Sequence, residues 1–343
     1  MTEESSSTIS HLSVAMTTAQ NDNTQTTNGN TMTSSSTGEA DYIFKCAVVI
    51  IGIVGAAANA LVLYAMIVSK HHKKQLLIFN QNVFDLCSCL FLVITYTLKL
   101  CNVYLTGTLG YWLCMMLVSE NVLWCSVNGS VINLLSLAIE RYLKVVHPAL
   151  GKKLLRKWVT YSAVTFAWIG STTYNMAVVF STSRVIDGIC YGYVFWESRR
   201  AAVIYGIWQF LSFFVIVLIG FVFCYGRILT VIRHQAQVMA GHSGSGSNTQ
   251  AQSNKAQSNV VKTMILVCAF YVIFCSPSYI YYLLLNVGLL SLPASFIVNY
   301  IVTLITFLYT CTNPFVYAIK FDPVRRVLIR LIACKNSVEQ AES

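Results

Sequence analysis

The amino-acid sequence predicts an all-α membrane protein: a bundle of seven transmembrane helices, with a short amphipathic cytoplasmic helix after the last. Three observations lead there. The 343 residues are 56% hydrophobic and only 10% charged, where an ordinary soluble domain is about 25% charged. Seven stretches reach the roughly 20 apolar residues that a spanning helix needs. Lys and Arg, 23 in all, gather in every second connection, the pattern that marks the cytoplasmic side. The net charge of +10 is therefore a topology signal. It speaks against a nucleic-acid partner, because it is tied to the short loops that flank the spans.

The elements follow in order. Residues 1–41 are rich in Ser and Thr and poor in large apolar side chains. Such a segment buries too little surface to fold and is expected to be disordered and extracellular. Residues 42–320 form the membrane domain. Span one is Tyr42–Val68, expected to serve as the insertion signal, and the basic run Lys70-His71-His72-Lys73-Lys74 follows it. Span two is Leu76–Leu100 and span three Trp112–Val146, with a second basic connection from Lys144 to Lys157. Spans four to seven are Trp158–Ser181, Ala201–Ile232, Val260–Val287 and Ala294–Lys320. Gln235–Asn259, rich in Gln, Ser and Gly, reads as a flexible linker between spans five and six.

An odd number of spans puts the N-terminus outside and the C-terminus inside. There is no internal repeat, which argues against an inverted-repeat transporter. Residues 321–343 open with an amphipathic stretch. Val324, Val327, Leu328 and Leu331 share one face, and Arg325, Arg326 and Arg330 lie opposite. This reads as an interfacial helix with membrane lipid as its partner, ending at Cys334, a candidate lipidation site.

Polar groups at bilayer depth are costly and mark function by default. Asp85, well inside span two, must be paired, hydrated or protonated. Asn59 of span one is expected to hydrogen-bond it, and Ser130, Asn133 and Asn313 are further candidates. Asn133 by itself reads as interhelical glue. Span three ends on Glu140-Arg141-Tyr142, followed by His147-Pro148. Pro277 and Pro314 lie inside spans six and seven, where each removes a backbone donor and kinks its helix. The histidines lie at termini, in loops or at span ends, a poor basis for a catalytic or metal site.

Seven motifs stand in order on these spans: Asn59 in "GAAANALVL", Asp85, "ERY" at 140–142, Trp168, Tyr225 in "FCYGRI", Pro277 and "NPFVY" at 313–317. Through them residues 42–334 resemble the rhodopsin-like (class A) G-protein-coupled receptors, in an orphan-like subgroup. The resemblance implies a plasma-membrane receptor that transduces an extracellular ligand to a heterotrimeric G protein, with no enzymatic activity and no organic cofactor. It implies that Glu140 holds Arg141 at rest in a bidentate pair, strong but breakable, and releases it on activation. Tyr142 and the inner loop from Pro148 form a further G-protein contact. Tyr317 is expected to swing toward Tyr225. A sodium site is implied on Asp85, Ser130 and Asn313, with Tyr309 and Cys275 standing where the family has Asn and Trp.

Some positions depart from the family. Gln257 replaces the acid at the foot of span six that helps to restrain Arg141, so raised basal signalling is expected. Cys275 occupies the place of the ligand-sensing Trp, and Val217 that of the span-five Pro. Tyr271, Phe274 and Phe307 are expected to supply the missing bulk. With these departures, a constitutively active or ligand-silent receptor working through heterodimers is the other reading.

Most of the twelve Cys lie in spans, where they act as small apolar residues. The family's disulfide joins the top of span three to the second outer loop, which implies Cys114 with Cys190. Cys114 stands two residues farther from Arg141 than the family's cysteine. Either the top of span three is locally distorted or the pairing differs, with Cys101 as the other partner.

Leu123 stands where amine receptors place their Asp, and Phe307 where opsins place the retinal Lys. Amines and light are thus poor candidates for the stimulus. Helical position puts Glu120, Leu123, Trp124, Gln209, Tyr279, Tyr282, Asn299 and Thr303 on a pocket wall in the outer third. This aromatic, polar wall suits a peptide or a small neutral organic molecule. Arg184, Asp187, Arg199 and Arg200 of the outer loop are placed to steer a charged peptide.

Overall fold

The computed structural model describes residues 31–73, 75–241, 248–290, 296–320, 324–327, 329 and 330. Span one is Thr31–Val68 and span two Leu76–Leu100. Span three is assembled from Gly107–Leu113, a π-helical turn Cys114–Val118 and the helix Asn121–Val146. Span four is Lys157–Thr182. Span five consists of Arg199–Phe210, a second π-helical turn Leu211–Val215 and Ile216–Gly241. Spans six and seven are Asn248–Val287 and Phe296–Lys320. The spans pack in a closed ring, one against two and seven, three against two, four and five, and six against five and seven. Span three is the innermost: 67% of its most apolar stretch is buried, against 28% for span five. Ile50, Ile53, Ile219, Val222 and many other large apolar side chains point outward, as a lipid-facing surface requires.

Among the described residues six of these helices are both long and apolar enough to cross a membrane. Span four has the length, 26 residues, but carries more hydroxyl and amide groups. These are satisfied locally. Ser171 and Thr182 donate to the carbonyls of Ala167 and Val178 one turn back, at 2.7 and 2.8 Å, and Asn128 of span three donates to Asn175 at 3.2 Å.

Several boundaries differ from expectation. Span one begins at Thr31 rather than Tyr42, so residues 31–41, expected to be disordered, are helical. No Pro interrupts them, and a helix already nucleated adds one bond per residue. Its base is tied to span seven, where Tyr300 donates to Asp41 at 2.7 Å, and within the helix Lys45 pairs with Asp41 one turn back at 2.6 Å. For the same reason the expected linker after Gln235 is helical up to Gly241 and again from Asn248. Span three, expected to be continuous, is broken near one end.

Two connections are ordered. Pro148–Leu154 is a short helix with Pro at its first position, where the missing N–H costs nothing. Strands β1, Arg184–Ile186, and β2, Ile189–Tyr191, form an antiparallel hairpin. Its two-residue turn, Asp187-Gly188, has φ of 49° and 74°, the left-handed pair that a type I′ turn demands. After span seven, Val324 is buried and Val327 packs on the same core, while Arg325, Arg326 and Arg330 are exposed. Those positions divide as the amphipathic pattern predicts. Leu328, Leu331, Cys334 and the side chain of Gln257 lie outside the described residues.

Candidate functional site

Span two supplies a run of buried polar residues, Asn80, Gln81, Asn82, Asp85 and Ser88. At its centre Asp85 accepts from Ser130 Oγ at 3.1 Å and from Asn313 Nδ2 at 2.7 Å. Gln81 Nε2 donates to Ser130 through a short contact and so lies one hydrogen bond from the carboxylate. Asn133 donates to Gln81 at 2.8 Å and to the Leu77 carbonyl at 2.9 Å, and receives a bond from Asn80 at 2.9 Å. The Trp168 indole donates to Asn80 at 3.0 Å and its ring stacks on Phe84 at 4.0 Å. A Cβ at Gly129 would overlap that Phe84 ring, so glycine is needed for spans two and three to close here. The result is one polar chain from span four to span seven. Asn80 and Gln81 are its members that sequence reasoning missed, although two amides just before Asp85 were visible. Asn313 turns its amide N–H to the carboxylate, and its Oδ1 is buried with no hydrogen-bond partner among the described residues.

Asn59 does not reach Asp85, contrary to expectation. Its Nδ2 donates to the Gly55 carbonyl at 3.0 Å and to the Thr310 carbonyl at 3.1 Å. Pro314, four residues after Thr310, has no N–H to offer that carbonyl. Asn59 supplies the donor instead.

At the Glu140 end, the expected bidentate pair is not formed. Arg141 Nη2 lies 3.9 Å from Glu140 Oε2, while Lys144, one turn on, makes the close pair with Glu140. Successive residues point about 100° apart on a helix, and residues four apart are neighbours, so Lys144 is the better placed. Arg141 Nε has no hydrogen-bond partner among the described residues. The guanidinium lies near enough to interact electrostatically with Tyr225 and Tyr317, both buried in the same core. The Tyr142 hydroxyl meets His147 Nε2 at 3.1 Å and ties the end of span three to the helix that Pro148 starts.

Val217 leaves span five without its expected kink, yet the span is not regular. The π-helical turn Leu211–Val215 spaces its carbonyls unusually, and Tyr271 of span six makes a short hydrogen bond to the Phe213 carbonyl. The Tyr271 ring meets Tyr309 edge-on at 5.6 Å and Phe221 at 5.9 Å. Cys275 is buried in the same core. Tyr271 thus supplies the bulk expected near Cys275, with Phe274 packed beside it. Phe307 belongs to a separate cluster with Leu123, Trp124 and Tyr96.

At the opposite end Cys114 bonds to Cys190, with Cα atoms 5.4 Å apart, and Cys101 is free. The extra residues before Arg141 are absorbed by local distortion. The Ser119 amide bonds five residues back to Cys114, at 3.0 Å. Glu120 then takes a left-handed conformation, φ 63°, which costs an ordinary residue about 1–2 kcal/mol. Its side chain is fixed in return. Lys99 lies 2.5 Å from Oε1, the Tyr96 hydroxyl donates to the same oxygen at 2.9 Å and Trp124 Nε1 to Oε2 at 3.2 Å. Lys99 and Tyr96 were not among the expected pocket residues; a lone cation in the last turn of span two was their signal.

The other pocket residues fall into groups. Tyr282 donates to Asn299 at 3.3 Å and meets Thr303 at 3.2 Å. Gln209 accepts from Tyr174 at 2.5 Å. Tyr279 packs on Phe214 at 5.6 Å. Tyr193, carried by the loop after β2, lies near Glu120 and Tyr205, and burial pushes its hydroxyl well above the usual tyrosine pKa.

A polar axis of this kind, running between a tethered loop and a buried arginine inside seven apolar helices, belongs to a membrane receptor of the G-protein-coupled class. It is not the arrangement of an enzyme. Residues 58–317 match the model of the 7 transmembrane receptor (rhodopsin family), and the chain belongs to that family. It is 23% identical to somatostatin receptor type 4 of Rattus norvegicus over 313 residues, covering 88% of this chain and 76% of that one. It is 24% identical to neuropeptide Y receptor type 4 of Mus musculus over 299 residues, 80% and 74% of the two chains. It is also 24% identical to sphingosine 1-phosphate receptor 1 of Danio rerio over 313 residues, 87% and 78%. The chain is accordingly a multi-pass, cell-surface G-protein-coupled receptor.

Proposed function

We propose that this receptor lies in the plasma membrane with its N-terminus outside, binds a peptide at the disulfide end and activates a heterotrimeric G protein through Arg141 at the other. The placement of basic residues in alternate connections supports that orientation. The observation that carries the ligand class is the neutralised Glu120. Its carboxylate is engaged by Lys99, Tyr96 and Trp124, so the pocket offers no free anion to a small amine. Near it stand the aromatics Tyr193 and Tyr282. Beyond them Arg184 and Asp187 of the hairpin and Arg199 and Arg200 at the start of span five are exposed, in reach of an extended ligand. Two of the three relatives named above carry peptide names and the third a lipid name. Relatives named for ligands lend no support to a ligand-silent partner of heterodimers.

Inside the bundle, Tyr271 and Tyr309 link the pocket end to Asp85 and Asn313. The donors around Asp85 support a hydrogen-bonded site in place of a sodium-filled one. At the cytoplasmic end Arg141, Tyr225 and Tyr317 form the switch, with Tyr142 and the Pro148 helix as the further G-protein contact. The test is G-protein activation by the expressed receptor across a peptide library, beside Arg141→Ala. Activation that survives Arg141→Ala sinks the switch; activation by amines or lipids but by no peptide sinks the ligand class.

A further inference from the structure

We propose that the cytoplasmic half of the groove between spans three and four binds an anionic phospholipid of the inner leaflet, a site that rests on the membrane orientation proposed above. The groove encloses about 560 Å³ between spans two, three and four, within the roughly 300–1,000 Å³ typical of ligand sites. Leu77, Ile139, Leu143, Trp158, Val159 and Ala163 make its walls apolar. Lys153 and Arg156 stand at its rim, and Lys152 and Lys157 flank them. All four cations are exposed, and none has an ion-pair partner among the described residues. Glu140, the one acid on the wall, is already engaged by Lys144.

An apolar slot under an uncompensated basic rim calls for a ligand with a chain and an anion. Its position, where an apolar span meets a basic connection, is the depth of a phospholipid headgroup. The cytoplasmic leaflet is rich in anionic lipid, which basic residues at the membrane surface attract. Trp158, 65% exposed, is shared with a second hollow of about 570 Å³ along Tyr161, Phe166 and Ile169, which leaves room for a second acyl chain. A lipid of zero net charge, such as phosphatidylcholine, would leave the charge of Lys153 and Arg156 uncompensated. A soluble phosphate would leave the apolar walls unfilled.

The test is native mass spectrometry of the purified full-length receptor, with phosphatidylserine and phosphatidylcholine of identical chains in equal amounts. Glycerophosphoserine serves as the competitor without chains. The expected result is at least fivefold more phosphatidylserine bound, reduced to parity by Lys153→Ala with Arg156→Ala. Both side chains are exposed, so folding is not at issue. Ala163→Phe, which fills the slot, is expected to remove the bound phosphatidylserine while leaving the rim charges in place. Equal binding of the two lipids by the wild type overturns the proposal. So does a preference that survives the double substitution, or glycerophosphoserine competing as well as the intact lipid. None of these readouts depends on signalling, so they fail or succeed apart from the receptor's ligand and switch.

Discussion

The side-chain amide of Asn59 donates to the main-chain carbonyl of Thr310 at 3.1 Å. That carbonyl is the one Pro314 leaves without a helical donor, since Thr310 lies four residues earlier. A kinked helix in lipid must have its freed backbone groups satisfied by its neighbours. Span one does this for span seven, and Cys89 of span two approaches the same carbonyl at 3.9 Å.

Asn59→Ala is therefore expected to lower stability by about 1–3 kcal/mol, the cost of a buried acceptor left unpaired. Pro314→Ala restores the N–H, so the double variant is expected to lose less than the sum of the two single ones. Thermal unfolding in detergent across this double-mutant cycle checks it. Strict additivity would show that the Asn59 amide and the Thr310 carbonyl are not coupled.

Much of this architecture is legible in the sequence, and the rest has identifiable causes. Span two ends where its apolar run ends, at Leu76 and Leu100, because nothing outside the helix decides it. The partner of Asn59 was misassigned, since Asn59 and Asp85 share a bundle but the freed carbonyl at Thr310 shows only when span seven is placed. The break at Glu120 is tertiary in origin: its left-handed backbone is held by Lys99 and Tyr96 of another span. The spacing of Cys114 to Arg141 left two readings open, a distorted top of span three or a bridge to Cys101, and only the placed helices decide between them. Asp187-Gly188 carries a hairpin-turn signal that the sequence reading passed over. The π-helical turn in span five has no local signal, because its carbonyl is used by Tyr271 from span six.

The distorted top of span three makes a covalent prediction. Cys114→Ser is expected to remove the disulfide and Cys101→Ser to keep it, as read by peptide mapping under non-reducing conditions. Loss of a disulfide from an extracellular segment typically costs about 2–4 kcal/mol, so Cys114→Ser is also expected to lower the unfolding temperature. A bridge to Cys101 in the wild type would contradict the geometry.

Lys144 competes with Arg141 for Glu140. Lys144→Ala leaves Arg141 as the one cation within ion-pair distance of Glu140 among the described residues, so it is expected to tighten the resting pair and lower basal G-protein activation. An exposed ion pair is worth about 0.2–1 kcal/mol, which bounds the change at roughly fivefold. Basal second-messenger output relative to mock-transfected cells measures it. A rise on Lys144→Ala would mean that Glu140 does not restrain Arg141.

The amide of Gln81 sets the character of the Asp85 site. It donates to Ser130, which in turn donates to Asp85 at 3.1 Å, while Asn313 donates to the other carboxylate oxygen at 2.7 Å. A cation needs oxygen ligands, and at Asp85 it would have to displace the Asn313 amide from the carboxylate and the Gln81 amide from the Ser130 oxygen. Basal and agonist-driven activation are therefore expected to be unchanged when sodium is replaced by a bulky organic cation at constant ionic strength, which holds screening fixed. Gln81→Leu removes the amide and leaves Asp85 with Ser130 and Asn313. That variant is expected to gain a sodium dependence, with sodium lowering basal activation. The comparison separates two causes, because general salt effects would act on both proteins alike. A sodium-dependent shift in the wild type as large as in Gln81→Leu would show that the amide does not stand in the cation's place.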